Sequence, residues 1–196
     1  MLLALAGCSE EKKPVAAEPK EPEKPAEAVS AQSAFQQMYI QARSWSPDAK
    51  PVRMASLDIK EVKSEAGKAG AWECTFVSER ARKARRLTYS VVDLPASNLR
   101  KGVFGNSDDN WTGGGQAKPF LVQAFKVDSV AAYDIAIKKG EEYAKKNPNM
   151  PIKFLLEQTS RFPNPAWRVI WGESVALSGY SIFVDATEGG YLVTSR

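Results

Sequence analysis

Apolar and polar side chains alternate most regularly in the last part of the chain, residues 165–196. Apolar residues recur there at every second position in two runs: Trp167, Val169 and Trp171, then Tyr180, Ile182 and Val184. A period of two residues indicates β-strands buried on one face. Glycines at 172, 179, 189 and 190 supply turns. The pattern predicts two long strands and a short third, whose apolar face must pack against a helix or a second sheet.

The first half of the chain predicts a helix followed by strands. Its helical stripe has apolar residues at i, i+3, i+4 and i+7: Phe35, Met38, Tyr39 and Ala42. Ser46-Pro47 ends this helix, because a residue before proline disfavours the helical conformation. Strand patterns follow at residues 51–62, 71–78 and 85–93, and a short last strand at 99–104.

The second half repeats that order, with a longer helix over residues 130–146, in which Gly140 allows close approach. Pro151 echoes Pro51 at an offset of 100 residues, Trp167 echoes Trp72 at 95, and YSIFVD from 180 echoes TYSVVD from 88 at 92. Longer hairpin loops in the first copy account for this drift. Between the halves, residues 119–129 read as a further strand. We interpret the chain as two copies of helix–strand–strand–strand, with chance similarity as the alternative.

The predicted fold class is therefore α+β, with two tandem modules that each pack a helix on an antiparallel sheet. The predicted segments are a signal-peptide end at 1–8, a tether at 9–29, a first module at 30–112, a linker at 113–118 and a second module at 119–196.

The N-terminus resembles the end of a bacterial lipoprotein signal peptide, since Leu5-Ala6-Gly7-Cys8 matches the lipobox. The resemblance implies that Cys8 becomes the first mature residue and carries a multi-acylated anchor in the membrane. By the sorting rule of enteric bacteria, Ser9 favours the outer membrane. The basic region and most of the apolar region of the family are missing, so we expect a truncated start. A chance LAGC is the alternative.

Residues 9–29 read as a disordered tether between this anchor and the folded part. Prolines at 14, 19, 22 and 25 lie among Glu, Lys and Ala, with no aromatic residue to bury. Such a segment stays solvated and semi-extended.

Composition narrows the chemistry of the folded part. The 196 residues are 43% hydrophobic and include five tryptophans, enough for a core, and the net charge of +4 is modest. The chain has no histidine, which removes the commonest general base and metal ligand. Cys74 alternates with Trp72 and Phe76, so we expect a buried thiol without catalytic function. No nucleophile motif or phosphate loop is recognisable.

We expect no metal and no cofactor. The loop around Asp108 and Asp109 is rich in Asx residues, but no glutamate closes it as an EF-hand requires.

One charged feature exceeds the background, and we call it the basic hairpin: Arg80, Arg82, Lys83, Arg85 and Arg86. These cations lie at the tip of the hairpin formed by two predicted strands and suggest an anionic partner, such as a phospholipid or lipopolysaccharide surface or an acidic protein patch. The alternative is a solvated turn whose charges protect strand edges from aggregation. Nucleic acid is not expected for an anchored extracytoplasmic protein.

The second half is similar to a PepSY-type domain in AWRVIW (166–171) and SIFVDATEGGYL (181–192). The resemblance implies a small α+β module of extracytoplasmic proteins, found in protease propeptides and bacterial lipoproteins, that binds or restrains rather than catalyses. The first half departs from the pattern at VVDLPASNLRKG (91–102), and no functional residue can be carried over.

The sequence thus predicts a lipid-anchored, non-catalytic protein of the bacterial envelope, facing the periplasm or the exterior. It would act as an interaction module for a protein partner or as a peptidase restraint. One alternative is a carrier of a small apolar ligand, with a cavity between helix and sheet lined by Trp72, Trp167 or Trp171. The other is an envelope enzyme of unrecognised type.

Overall fold

The fold is built from helices laid on one face of a large antiparallel sheet, and a computed structural model describes it for residues 25–195. The α-helices are α1 (Ala31–Trp45), α2 (Ser129–Lys139) and α3 (Glu141–Lys146). The strands of the first half are β1 (Val29–Ser30), β2 (Lys50–Leu57), β3 (Lys68–Ala69), β4 (Ala71–Ser78), β5 (Lys83–Ser90), β6 (Gly102–Gly105) and β7 (Asp109–Asn110). Those of the second half are β8 (Ile152–Glu157), β9 (Ala166–Trp171), β10 (Tyr180–Asp185) and β11 (Tyr191–Ser195).

The main sheet runs in the order β11-β10-β9-β8-β2-β4-β5-β6, with β7 also paired to β5. Every pairing in it is antiparallel. This arrangement confirms the predicted α+β class. The two halves contribute to one continuous sheet, because β2 and β8, the first strand of each half in this sheet, pair with each other.

The β2–β8 pairing has local two-fold symmetry. Ala55 pairs with Leu155, and these residues are equivalent at the offset of 100 that relates the two halves. On one side Met54 pairs with Leu156. On the other side the Phe154 N–H donates to Ser56 Oγ at 3.0 Å. The same patch of each half therefore meets its counterpart, as in an isologous dimer interface within one chain.

The predicted stripe of α1 is confirmed, since Phe35, Met38 and Ala42 are buried in the core and Tyr39 packs half-buried against it. The predicted second helix is divided at Gly140, where α2 ends and α3 begins. Glycine weakens a helix interior. A Cβ at position 140 would lie 3.0 Å from Ile182 Cδ1, so the expected close approach is real.

Two sequence expectations need correction. Residues 119–129 hold a 3-10 helix at Val122–Ala124 and no strand, because Phe120 and Phe125 fold under the helices. The second correction concerns the equivalence of β5 and β10. Trp72 pairs with Tyr89 and Trp167 pairs with Val184, so the offset stays at 95 residues. The echo at 92 was wrong by three residues, and an odd shift moves every side chain to the other face of the sheet.

The core lies between the helices and the sheet. Its largest fully buried side chains include Trp72, Trp167, Trp171 and Phe76. Cys74 is also fully buried, as expected, and burial raises the pKa of its thiol well above the ordinary value. None of the helices in residues 25–195 is long and apolar enough to cross a bilayer.

Candidate functional site

The predicted lipidation site, Cys8, lies outside the described residues, as does the tether up to residue 24. The chain enters the folded part at β1, where Val29 pairs with Ala69 of β3. The Val29 carbonyl also accepts a hydrogen bond of 3.0 Å from Trp72 Nε1. Trp72 belongs to the core between helices and sheet, so the chain enters on the helix-bearing side.

The basic hairpin is divided by the structure into free and engaged cations. Arg80 and Arg82 are exposed at the turn between β4 and β5, and Arg82 has a left-handed backbone with φ of 54°. Neither side chain makes an ion pair with another described residue. These two cations remain available to a partner.

The other three cations of the basic hairpin already have protein partners. Arg85 Nε lies 2.6 Å from Asp108 Oδ1, and its guanidinium stacks 5.0 Å from the Trp45 ring centroid. That hydrogen bond holds the pKa of Asp108 below its ordinary value. Lys83 donates to Asn110 Oδ1 at 2.8 Å, and Arg86 lies 3.5 Å from Glu73. Asp108 therefore serves to fasten the loop before β7.

The tryptophans proposed to line a ligand cavity are packed against other rings. Trp72 and Trp167 are fully buried and Trp171 is 1% exposed. Trp72 meets Phe154 at 6.2 Å between ring centroids, and Trp171 meets Tyr143 at the same distance. Aromatic side chains thus occupy the space between helices and sheet at these positions.

A concavity of about 430 Å³ lies between the turn at residues 63–68 and the segment from 148 to 154. Its charged side chains are largely solvated: Lys63 is 85% exposed and Glu65 is 70% exposed, and the two lie 3.9 Å apart. Such charges face water at little cost, so they give no indication of a ligand.

A different concavity lies on the sheet face that carries no helix, and we call it the Arg–Phe groove. It has a volume of about 390 Å³. The residues that define it are Leu155, Glu157, Arg161, Phe162, Arg168 and Phe183. The strands β8, β9 and β10 form its floor, and the loop between β8 and β9 forms its wall.

The centre of the Arg–Phe groove is Phe183, which pairs directly with Arg168 across β9 and β10. The Arg168 guanidinium lies 5.5 Å from the Phe183 ring centroid, and the Arg161 guanidinium lies 4.7 Å from it. Phe162 packs on Phe183 with centroids 5.4 Å apart. Two cations are therefore held against one aromatic ring.

The charges of the groove are unbalanced. Burial lowers the pKa of the Arg168 guanidinium, and the nearby Arg161 charge lowers it further. Arg168 donates from Nε to Ser181 Oγ at 3.0 Å, a neutral acceptor. Glu157 lines the groove, but its ion pair is with Arg53, at 3.5 Å. Within residues 25–195, no carboxylate lies within 4.0 Å of a side-chain nitrogen of Arg161 or Arg168.

Sequence reasoning missed this groove because its members are far apart along the chain. The alternation in β9 placed Arg168 on the polar face of the strand, away from Trp167. It could not show that Phe183 of the next strand lies beside Arg168. The direct signal was Arg161-Phe162, a cation and an aromatic ring in a polar loop. The carboxylates and thiols of residues 25–195 form no group of three that could hold a metal ion.

Comparisons with known proteins give a likeness of fold. No protein-family model matches the chain, and no curated protein matches it. Among solved structures, the chain is similar to a protein of Clostridium difficile 630 that is designated a candidate lipoprotein. The TM-score is 0.54 at 12% sequence identity, and the match covers 82% of this chain and 91% of that one. At this identity the likeness shows the fold alone.

Proposed function

We propose that this protein is a lipid-anchored, non-catalytic binding protein of the bacterial envelope, and that the Arg–Phe groove is its ligand site. The observation that carries the proposal is the pair of guanidinium groups, Arg161 and Arg168, held on Phe183 with no carboxylate of residues 25–195 within 4.0 Å of their nitrogens. Arg168 is half-buried and Arg161 is exposed, and guanidinium groups with free donors are suited to an anionic ligand.

The anchor is supported by the sequence before the folded part. Cys8 ends a lipobox-like LAGC, and a proline-rich tether follows it. A protein of similar fold is itself designated a candidate lipoprotein, and the match covers 91% of that chain. We also propose that the two halves are PepSY-like modules, since each has the order of helix and strands that this resemblance implies.

The groove and the entry point of the chain lie on opposite faces of the sheet. The chain enters on the helix-bearing side of the sheet, beside Trp72. The Arg–Phe groove opens on the other side, where no helix covers the strands. A ligand or partner can therefore reach the groove from the face opposite the point where the chain enters the folded part.

The non-catalytic part of the proposal is supported by the chemistry that is present. Catalytic nucleophiles need an adjacent base or a lowered pKa. The chain has no histidine, and the Cys74 thiol is fully buried with a raised pKa. The groove offers guanidinium groups and phenyl rings, which bind and orient a ligand.

The experiment uses the full precursor expressed in a bacterial host, with a photo-crosslinking amino acid introduced at one position. Ser160 lines the groove, and Ser44 is exposed on α1 at the other face as a matched control. We expect an adduct from position 160 that is absent from position 44. We also expect the protein to fractionate with membranes and Cys8→Ser to abolish this. Equal adducts at both positions, or none at 160, would refute the groove as the ligand site.

A further inference from the structure

We infer that the Arg–Phe groove takes a small amphiphilic organic anion, with a carboxylate or phosphate head and a compact apolar body. This inference deepens the proposed function and rests on it. It follows from the charge of the groove, its free donors, its apolar surface and its size.

The charge of the groove selects an anion. The guanidinium carbons of Arg161 and Arg168 lie 4.7 Å and 5.5 Å from the centroid of the same ring, that of Phe183. Burial lowers the pKa of Arg168, and the positive charge of Arg161 lowers it further, so the two like charges repel each other. The carboxylate of Glu157 offsets only part of this, and its ion pair is with Arg53. An oxyanion that contacts both guanidinium groups would offset the repulsion.

The aromatic ring leaves the right donors free. A cation–π contact uses the charge of the guanidinium group and does not consume its N–H donors. These donors can pair with the two oxygens of a carboxylate or phosphate. Arg168 donates only from Nε, to Ser181 Oγ, so its terminal nitrogens remain available.

The remaining surface selects an apolar body. Phe162 and Phe183 pack at 5.4 Å between centroids, and Leu155, on the groove floor, is 5% exposed. An aryl or short acyl group attached to the oxyanion would lie against these side chains and exclude water from the ion pair. An anion without an apolar group would leave the faces of both phenyl rings exposed to water.

The size of the groove limits the ligand. A volume of about 390 Å³ corresponds to about a dozen water molecules at roughly 30 Å³ each. Two adjacent cations match one head group, whereas a polyanion would need a longer basic track. The ligand is therefore a small molecule or the small terminal group of a larger one.

The test measures binding to the full chain carrying Cys8→Ser, by isothermal titration calorimetry and thermal shift. The probes are phenylacetate and phenyl phosphate, with acetate as the anion that lacks the ring and benzyl alcohol as the ring that lacks the charge. We expect phenylacetate or phenyl phosphate to bind at least tenfold more tightly than both partial probes. The tighter of the two identifies the head group.

Arg161→Gln is the decisive variant, because Arg161 is exposed and its loss leaves the strand pairing intact. We expect this variant to bind about tenfold more weakly or worse. Arg161→Lys should restore part of the affinity. Arg43→Gln removes the same charge from an exposed position on α1 and should bind as the unmodified chain does.

Three results would each overturn the inference: no binding of either aryl anion, equal affinity of Arg161→Gln and Arg43→Gln, or equal binding of benzyl alcohol and the aryl anions. The photo-crosslinking experiment separates this failure from failure of the proposed function. If position 160 gives an adduct but neither aryl anion binds, the groove is a binding site for a ligand of another class. If position 160 gives no adduct and no probe binds, both proposals fall.

Discussion

Trp72 and Trp167 occupy equivalent places in the two halves of the chain and touch each other edge to face, with ring centroids 6.4 Å apart. Trp72 Nε1 donates to the Val29 carbonyl at 3.0 Å, and Trp167 Nε1 donates to the Val127 carbonyl at 2.8 Å. Each acceptor lies just before the N-cap of a helix. Each tryptophan therefore ties the sheet to the start of its own helix, and the contact between them joins the two halves.

Trp167→Ala should reduce the free energy of unfolding by about 3–5 kcal/mol, because it removes a fully buried ring and leaves a cavity. Chemical denaturation of the unlipidated chain measures this. Trp167→Phe keeps a ring but leaves the Val127 carbonyl without its donor, and should cost about 1–3 kcal/mol. Leu177→Ala is the control, since Leu177 is 77% exposed. Equal stability of all three variants would contradict the packing described here.

The repeat of helix and strands could be predicted from the sequence because it depends on local periodicity. The alternation around Trp72 and Trp167 sets which strand face is buried, and the structure keeps both in the core. The stripe of α1 followed from the same reasoning. Each of these patterns extends over a few residues and arises because one face of the helix or strand is buried.

The joining of the two halves and the groove could not be predicted, because both depend on strand register. Nothing local to Ala55 or Leu155 specifies that they pair across 100 residues. The contact of Arg168 with Phe183 depends on the β9–β10 register, which the alternation within each strand does not set. The cluster of cations in the basic hairpin could be recognised in the sequence, but the ion pair between Arg85 and Asp108 could not.

Gly67→Ala should destabilise the fold by more than about 1 kcal/mol. Gly67 has a φ of 81°, and a Cβ there would lie 2.5 Å from the Ser129 backbone oxygen at the start of α2. The turn of the first half therefore packs on a helix of the second half without room for a side chain. Gly190→Ala is the matched control, because a Cβ at that position meets nothing within 4 Å. Equal midpoints of thermal unfolding for the two variants would show that this contact is loose.

Arg85→Gln should lower the free energy of unfolding by about 1 kcal/mol, through loss of the Asp108 ion pair and the Trp45 stacking. Arg82→Gln removes an equal charge from the exposed turn and should change it by less than about 0.5 kcal/mol. Hydrogen exchange of residues 105–112 provides a second measurement, and should quicken only in the Arg85 variant. Unchanged exchange in both would mean that Asp108 does not fasten the loop.

The hypothesis of an anionic surface for the basic hairpin is tested best with its two free cations. If Arg80 and Arg82 contact anionic headgroups, each contributes about 1 kcal/mol to the free energy of binding. The double Arg→Gln variant should then bind anionic vesicles at least about tenfold more weakly than the parent. Co-sedimentation at low and moderate salt measures this, and the difference should fade as salt screens the charges. Equal sedimentation of variant and parent would identify the hairpin as a solvated turn.

Asp48 should make the stability of the fold sensitive to acid. The Arg80 N–H donates to its carboxylate at 3.0 Å, and the hydroxyls of Ser46 and Ser78 donate at 2.7 Å each. These bonds favour the charged form and hold the pKa of Asp48 well below its ordinary value. Because the folded pKa is lower than the unfolded value of about 3.9, the contribution to stability is complete above that pH. It is lost as the pH falls through the folded pKa.

Asp48→Asn should therefore cost about 1 kcal/mol at neutral pH, and the cost should shrink as the pH falls below about 4. Thermal unfolding of the parent and the variant between pH 7 and pH 2 measures the difference. Other carboxylates titrate equally in both chains, so their effects cancel in the comparison. Asp134→Asn makes the same change on the exposed side of α2 and should leave a small difference throughout. If the difference in stability between the parent and Asp48→Asn stays constant down to pH 2, the three donors do not stabilise the charged form of Asp48.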